Sequence, residues 1–361
     1  MSEDRGAKSA NIFDVARLAG VSHQTVSRVL NDLPNVRPAT RARVEQAIAQ
    51  LRYSPSPAAR ALVTRRTRTI GLVTPGTADF GPTSIAMHFN VAARAERYSV
   101  DAVTSPDPDP AAVRTVIEGL LRQRVDAIVL VVNHIGVLEV VRGLELSVPV
   151  VAAAATQRRH PNLVSIDQYR GARAAVRHLA ELGHRRILHL AGPPSNPDSL
   201  ERLRGWRDEL TAQGLVAIEP RHGDWSAASG FEIGASLDLG GAGRDLGAGA
   251  GDAGAGDAAA GDAAVFVAND HMAIGLVSAL RSRGLRVPDD VSVVGFDDVP
   301  EAPFLLPPLT TVRQDFQALG ELIMQKVLLA VEEPHELTED TPIATHLIVR
   351  ESTRAAGPPT P

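Results

Sequence analysis

The sequence predicts an α/β protein with an N-terminal three-helix headpiece of helix-turn-helix type, followed by two doubly wound parallel-sheet lobes. Three observations support this fold class. The first 68 residues are basic and carry the start and stop signals of three short helices. From Thr69 onward, apolar strand-like runs alternate with amphipathic segments. These runs are too numerous for one small sheet, so two lobes are the simplest arrangement.

Composition narrows the class of protein. The chain has 361 residues and no cysteine, which excludes disulfides, Cys-ligated zinc and thiol nucleophiles. No run of about 18 apolar residues is present, and the segment "MSEDRGAKSANIFDV" lacks the apolar core of a secretory signal. We therefore expect a cytoplasmic protein that does not contact a membrane.

The net charge of −5 is unevenly distributed along the chain. Residues 1–68 carry 12 Lys and Arg against 5 Asp and Glu, and the remainder carries 25 against 37. A basic segment joined to an acidic body indicates a polyanionic partner for the first segment alone. A solvated basic tail is the alternative, which charge by itself leaves open.

The first segment contains the signals of three helices. Asn11 can cap a helix whose third residue is Asp14, and Gly20 permits a tight turn after it. Ser22 can cap a second helix, and a third begins at Pro38, a residue favoured at the first helical position. Three short helices with a tight turn between the first two constitute a helix-turn-helix.

The second helix carries uncharged polar side chains on one face. His23 and Gln24 open it, at the end that reaches base edges in the major groove. Gln24 suits an adenine edge, and Arg28 suits guanine. Several hydroxyl and amide side chains are candidates for phosphate contacts: Ser22, Thr25, Ser27, Asn31 and Thr40. An ordinary solvated helix is the alternative interpretation.

The body alternates strands and helices. Its near-continuous apolar runs are typical of buried strands: "TIGLVTP", "DAIVLVV", "VPVVAAA", "LVSID", "RILHLAG", "AVFVAND" and "VSVVGFDD". The amphipathic segments between them are 110–123, 171–182, 199–213 and 271–283. Ligands of such folds bind beyond the carboxyl ends of the strands, so two facing lobes place the site in a cleft.

Polar groups suited to a sugar follow several of these strands. Asp297, Asn269 and Arg202 supply carboxylate, amide and guanidinium partners for hydroxyls, and Trp225 supplies an aromatic face. Other roles remain open for these residue types. Trp225 can be a core aromatic, Arg202 a solvated arginine, and Asp297 a partner of turn backbone. Asp270 is predicted to cap the helix that begins at His271.

Enzymatic motifs are absent from the sequence. There is no G-x-x-x-x-G-K-[ST] loop, no G-x-G-x-x-G after a strand and no H-E-x-x-H pair. The aspartates near the cleft have no residue placing a leaving group. We expect a binding protein rather than an enzyme, without a cofactor or metal.

The N-terminal segments resemble the headpiece of the LacI/GalR family of bacterial transcriptional regulators, in "IFDVARLAGVSHQTVSRVLN" and "VRPATRARVEQAIAQLRYSPSPAARALVTRRT". The resemblance implies a headpiece over 1–56 and a hinge helix over 57–68 that forms on operator DNA. It also implies that Ala59 and Leu62 contact DNA, with Leu62 from each chain of a dimer wedged into the minor groove.

The body resembles the periplasmic-binding-protein-like core of the same family. This implies an effector-binding core over 69–354 with lobe crossings near 182–184, 312–315 and 341–344. One lobe would hold about 69–183 and 315–342, and the other about 184–314 and 343–354. The Gly/Ala/Asp-rich segment 240–264 is predicted to be a disordered insertion, and 355–361 a tail without the leucine heptads of a tetramerising coiled coil.

The resemblance also assigns an effector pocket. It places Asp198, Arg202, Trp225, Asn269, Asp297, Gln314 and Phe316 in it. Two positions depart from the galactoside-responsive pattern, because Arg170 stands where an acidic residue is expected and Asp198 where a serine is expected. The implied effector is a sugar, with a β-galactoside as one candidate.

The implied function is a nucleoid-associated homodimeric repressor of carbohydrate-utilisation genes that a sugar releases from its operator. Two alternatives stay open. A repressor of the same family that responds to a nucleobase or other corepressor would differ only in its pocket, since Trp225 can also stack on a purine. A sugar-binding transport protein would share the lobes but would lack the headpiece.

Overall fold

The computed structural model describes residues 10–30, 33–53, 66–105, 110–137, 146–155, 160–239, 263–336, 338–339 and 341–356. The chain divides into two compact units, Met1–Arg68 and Thr69–Pro361. Most of the predicted hinge, nearly all of segment 240–264 and residues 357–361 lie outside the described residues.

The first unit contains three helices: α1 (Ile12–Ala19), α2 (His23–Leu30) and α3 (Pro38–Leu51). Asn11 and Asp14 form a capping box at the start of α1, and Gly20 ends that helix at a φ of 64°. A small core of Val15, Val26, Val29 and Val44 holds the three helices together. The predicted helix-turn-helix is therefore present, with the expected helix starts.

The second unit alternates strands and helices. Its described strands are β1 (Thr69–Pro75), β2 (Ser99–Ser105), β3 (Ala127–Val131), β4 (Val150–Ala153), β5 (Leu163–Val164), β6 (Arg186–Ala191), β7 (Arg221–His222), β8 (Ala263–Val267), β9 (Val291–Asp297), β10 (Thr310–Arg313) and β11 (His346–Ile348). Its described α-helices are α4 (Phe80–Ala95), α5 (Pro110–Arg122), α6 (Gln168–Glu181), α7 (Pro197–Ala212), α8 (Ala227–Ser236), α9 (Asp270–Ser282) and α10 (Phe316–Glu332).

The strands form two sheets, one in each lobe. The first sheet has the order β2-β1-β3-β4-β5, and all of its described pairs are parallel. The second has the order β11-β10-β9-β8-β6-β7 and is parallel except for the antiparallel edge strand β11. In each sheet, successive strands are added first on one side of the starting strand and then on the other. This reversal of the strand order opens a crevice at the carboxyl ends of the strands.

Each sheet is covered by helices on both faces, as continuous apolar strands require. In β3, Ala127 and Val129 point into one core while Ile128 and Leu130 point into another. In the second sheet, Phe266 packs with Trp206 on one face, and Val265 packs under α9 on the other. The two sheets are thus separate doubly wound layers, as predicted.

The chain passes between the lobes at positions that partly differ from prediction. Arg313 ends a strand of the second sheet, whereas Phe316 begins a helix that packs on the first sheet. The predicted crossing at 182–184 is wrong. Helix α6 packs against α7 and the second sheet through Ala172, Val176 and Leu179, so the crossing lies between Val164 and Gln168. The apolar stripe of α6 predicts an amphipathic helix, but it does not indicate which of the two sheets the helix covers.

The described helices include none that is long and apolar enough to span a lipid bilayer.

Candidate functional site

The outer face of α2 presents the polar side chains at its start. Ser22, His23 and Gln24 are exposed, while Val26 and Val29 are buried beneath them. The ring of His23 lies 5.3 Å from that of Phe13 on α1. The first turn of α2 contains no acidic residue. No carboxylate of this turn therefore neutralises the positive end of the helix dipole.

The neighbouring predicted DNA contacts are held in local hydrogen bonds. Ser22 Oγ accepts from the Thr25 backbone at 3.2 Å and lies 3.0 Å from Thr25 Oγ1. Arg28 Nη2 donates to the Pro34 carbonyl at 2.8 Å, so its guanidinium braces the loop that leads to α3. This bond leaves the exposed Arg28 with other N–H groups for a base or a phosphate.

Ser27 and Thr40 are half-buried, on α2 and on the first turn of α3 respectively. Asn31, Ala59 and Leu62 lie outside the described residues.

A cleft lies between the two lobes of the second unit, and its empty space, including the part open to solvent, is about 690 Å³. All seven residues predicted for the effector site line it: Asp198, Arg202, Trp225, Asn269, Asp297, Gln314 and Phe316. Five come from the second lobe, Gln314 from the crossing after β10, and Phe316 from the start of α10 on the first lobe, so only the folded chain brings them together.

Four buried side chains form a closed ring of polar contacts under the cleft. Arg202 Nε donates to Gln168 Oε1 at 2.9 Å, and Gln168 Nε2 donates to Gln314 Oε1 at 2.8 Å. Gln314 Nε2 donates to Asp297 Oδ1 at 2.7 Å, and that oxygen lies 3.5 Å from Arg202 Nη1. Such a network fixes each member, because every donor and acceptor in it depends on its neighbour.

The ring also connects two of the three lobe crossings. Gln168 lies just after the first crossing, and Gln314 lies on the second. Their 2.8 Å hydrogen bond joins these segments directly beneath the cleft. A ligand that contacts Asp297 or Arg202 therefore acts on groups that are hydrogen-bonded to two of these crossings.

Aromatic side chains form the apolar walls. Phe316 packs edge-on against Phe80 with ring centroids 5.7 Å apart. On the other lobe, Trp225 lies half-buried at a φ of 76°, with the Arg202 guanidinium 5.5 Å from its ring. A Cβ at Gly192 would lie 2.3 Å from the Trp225 ring, so only glycine leaves room for the indole in this position. Trp225 is a cleft wall rather than a fully buried core residue.

Of the two polar residues after β8, Asn269 rather than Asp270 caps the following helix. Asn269, not Asp270, caps α9: its Oδ1 accepts from the Met272 backbone at 3.0 Å, and its Nδ2 donates to the Trp225 carbonyl at 3.0 Å. Asp270 is buried and accepts from Thr311 Oγ1 at 2.6 Å and from the Val299 backbone at 2.9 Å. The prediction that Asp270 caps this helix is wrong, because the helix begins one residue earlier.

Burial perturbs the carboxylates of the cleft. Burial raises the pKa of Asp297 to about 7, although Arg202 and the Gln314 hydrogen bond oppose that shift. Burial also raises the pKa of Asp198, against the influence of Arg202 and of a hydrogen bond with the Ala155 backbone. The latter bond joins the two lobes, since Ala155 follows β4.

Several cleft residues escaped prediction. Gln168 completes the ring, and Asp79, Asn133 and Asn196 add polar groups to the lining. Asp79 and Asn133 follow β1 and β3, so extending the strand-end argument to the first lobe would have found them. Gln168 carried no comparable signal. Arg170 is exposed and lies 3.6 Å from Asp167, outside the cleft lining, so it does not substitute for the acidic residue expected at that position.

This arrangement can hold a small polyhydroxy molecule by hydrogen bonds between two aromatic walls. Among the described residues no cluster of three or more His, Cys, Asp or Glu side chains could hold a metal ion. A helix-turn-helix unit joined to a two-lobed binding unit defines the class of ligand-responsive DNA-binding regulators.

Comparison with known families agrees with this class. Residues 11–56 match bacterial regulatory proteins of the lacI family. Residues 67–227 match the periplasmic binding proteins and sugar binding domain of the LacI family, and residues 176–353 match a periplasmic binding protein-like domain.

Individual relatives cover most of the chain. The lactose operon repressor of Escherichia coli (strain K12) is 34% identical over 328 residues, covering 89% of this chain and 84% of its own. The regulator CelR of Thermobifida fusca is 35% identical, covering 94% and 96% respectively. A lac repressor dimer bound to operator and the anti-inducer ONPF superposes with a TM-score of 0.81 at 32% identity, over 96% of this chain and 100% of that one.

The chain belongs to the LacI family of bacterial regulatory proteins. It is a DNA-binding transcriptional regulator that carries the family's sugar-binding domain, and it is not an enzyme.

Proposed function

We propose that this protein is a homodimeric repressor of carbohydrate-utilisation genes that releases its operator when a neutral sugar binds in the cleft between the lobes. It acts in the cytoplasm, associated with the nucleoid. The observation that carries the proposal is the buried ring of Arg202, Gln168, Gln314 and Asp297, which joins the cleft to two lobe crossings.

The sugar is held by groups of three kinds. Asp198, Asp297 and Asn269 offer carboxylate and amide partners to hydroxyls, and Gln314 and Arg202 fix the carboxylate of Asp297. Trp225 and Phe316 cover the C–H faces of the pyranose ring. A β-galactoside and a β-glucoside are the leading candidates, because the lac repressor is a relative and a CelR–cellobiose complex is similar over 95% of this chain, with a TM-score of 0.65 at 31% identity.

The DNA side of the proposal rests on α2. His23 and Gln24 enter the major groove, Arg28 reads a guanine or binds a phosphate, and Ser22, Thr25, Ser27, Asn31 and Thr40 position the backbone. Ala59 and Leu62 contact the minor groove from the hinge.

Two exposed apolar pairs support a homodimer. Phe304 and Leu306 in the second lobe are 84% and 85% exposed, and Met87 and Val91 lie one turn apart on α4 at 56% and 65%. Large apolar side chains clustered on a surface mark an interaction site, and a second copy of the chain would cover both pairs by two-fold symmetry.

Release follows from differential affinity. A sugar that binds one lobe arrangement more tightly shifts the population toward it, and the affinity for the operator falls by the same coupling factor. The ring is suited to this coupling because two of its members, Gln168 and Gln314, lie at crossings, where a change of lobe angle is concentrated.

Thermal unfolding against a panel of neutral galactosides, glucosides and purine bases tests the effector class. A ligand at 100 times its dissociation constant stabilises the folded protein by about 2.7 kcal/mol, which is readily measured. We expect a sugar to raise the melting temperature and a purine to leave it unchanged. Stabilisation by purines alone would instead support the nucleobase-responsive alternative.

A further inference from the structure

Three carboxylates line the cleft. Asp79 lies in the first lobe at the start of α4, and Asp198 and Asp297 lie in the second lobe. Among the described residues that line the cleft, Arg202 is the only lysine or arginine. The described lining therefore holds more carboxyl groups than basic groups.

Protein groups already hold two of the three nitrogens of Arg202. Its side chain is buried, its Nε donates to Gln168, and its Nη1 donates to the Ala268 carbonyl. The same Nη1 lies 3.5 Å from Asp297, and the guanidinium stacks 3.9 Å above the Phe296 ring. The one cation is thus already committed to protein groups and to a carboxylate.

Two of these carboxylates act on the third, Asp297. Asp198 and Asp79 both raise the pKa of Asp297, in addition to the larger effect of its burial. Negative charge on either lobe therefore acts on the carboxyl group of Asp297 in the cleft. An anionic group bound there would meet the same repulsion, which the low dielectric of a closed cleft strengthens.

Resting on the proposed sugar-responsive function, we propose that the cleft accepts uncharged or amino-bearing sugars and excludes phosphorylated sugars and uronic acids, with Asp79 and Asp198 as the specificity-determining residues. These two side chains come from opposite lobes, so lobe closure brings both toward the ligand. Asp79 stands at the N-cap position of α4, but its carboxylate makes no capping hydrogen bond to the helix. Asp198 stands in the first turn of α7 and reaches the Ala155 backbone of the other lobe.

The test uses the full-length protein and sugars that differ only in charge. The neutral methyl glycoside that binds best in the galactose and glucose series is identified first by calorimetry. Its 6-phosphate, its C6 carboxylate and its 2-amino-2-deoxy form are then titrated at pH 7.5. We expect the two anionic forms to bind at least tenfold more weakly than the neutral glycoside, and the amino form to bind at least as tightly as the neutral one.

Variants assign the effect to the two residues. In the double variant Asp79→Asn/Asp198→Asn, the affinity for the C6 carboxylate form of the sugar, divided by the affinity for the neutral glycoside, should rise at least tenfold. Glu219→Gln, which removes one exposed negative charge outside the cleft lining, should leave that ratio unchanged.

The outcomes separate the two proposals. A neutral sugar that binds and releases DNA, together with an anionic form that binds equally or more tightly, overturns the charge selection alone. An unchanged ratio in the double variant overturns the assignment to Asp79 and Asp198. Failure of every neutral sugar to bind overturns the proposed function itself.

Discussion

Arg202 Nη1 lies 3.5 Å from Asp297 Oδ1, and the two side chains are 4% and 6% exposed. Each compensates the buried charge of the other, and Gln168 and Gln314 complete the ring around them. Removing one member of a buried ion pair leaves an uncompensated charge and strongly destabilises the fold. The intact pair, by contrast, adds little stability compared with well-packed apolar residues in the same place. The ring therefore preserves the geometry of the cleft more than it stabilises the fold.

The raised pKa of Asp297 predicts a specific dependence of stability on pH. Its pKa in the folded protein is about 7 against an ordinary value of 3.8, because burial disfavours the carboxylate despite Arg202 and Gln314, while Asp198 and Asp79 add to the rise. The folded state thus holds the proton more tightly than the unfolded state. The stabilisation from protonated Asp297 is present below about pH 4 and is lost as the pH rises to about 7.

We therefore expect the free energy of unfolding of the wild type minus that of Asp297→Asn to fall between pH 4 and 7 and then level off. Urea denaturation at half-unit pH steps measures this difference. Asp290→Asn serves as control, because the Arg286 hydrogen bond lowers the pKa of Asp290. The difference in unfolding free energy caused by this substitution should therefore vary only below about pH 4. A difference that stays constant or grows from pH 4 to 7 for Asp297→Asn is incompatible with a raised pKa.

Gly192→Ala is predicted to weaken sugar binding by displacing Trp225. The new Cβ would lie 2.3 Å from the indole, which must move out of its place in the cleft wall. We expect at least a tenfold loss of sugar affinity and about 1–3 kcal/mol of destabilisation from overpacking. Calorimetry and urea denaturation measure the two effects. Gly119→Ala is the matched control, because its nearest contact is Arg122 Nη2 at 3.8 Å. Unchanged affinity in Gly192→Ala would refute the role of the indole.

Leu306→Asp is predicted to dissociate the dimer. The side chain is 85% exposed beside Phe304, and a carboxylate inside an apolar interface would be desolvated without a partner. Sedimentation equilibrium should give the mass of one chain for this variant and of two for the wild type. Val216→Asp, at an equally exposed position of 81%, should remain dimeric. A dimeric Leu306→Asp protein would place the interface elsewhere.

Gln24→Ala is predicted to weaken sequence-specific DNA binding. Gln24 is exposed at the start of α2, and a bidentate contact to a base is worth about 1–3 kcal/mol of discrimination. Fluorescence anisotropy should show a loss of this size on a duplex selected from a random pool, and little change on an unrelated duplex. Gln50→Ala, which removes the same amide from the exposed end of α3, is the control. Equal losses on both duplexes would mean that Gln24 contacts phosphate rather than a base.

The elements that the sequence predicted well are those with a local signal. Asn11, Gly20 and Pro38 mark helix ends by their own chemistry, and continuous apolar runs such as "AIVLV" have no stable place except a buried parallel strand. Strand β2, "SVDAVTS", was not predicted because this edge strand lacks the continuous apolar run by which the other strands were identified.

The remaining features depend on tertiary partners. The stripe of Ala172, Val176 and Leu179 predicts a helix but fits either sheet, so the first crossing was misplaced. Gln168 belongs to the site only because its amide meets Arg202 and Gln314, which lie 34 and 146 residues away. Residue type and strand position therefore identified the acids and aromatics of the cleft, but not the amide that joins them.

The central claim is that this chain binds duplex DNA through α2 and releases it when a sugar occupies the cleft. The most direct measurement is the anisotropy of a labelled operator, selected from random duplexes, titrated with full-length protein with and without a saturating neutral glycoside. We predict at least a tenfold loss of operator affinity with the sugar and none with Arg202→Met under the same conditions. Wild-type affinity that stays constant when calorimetry shows the sugar bound would contradict the account.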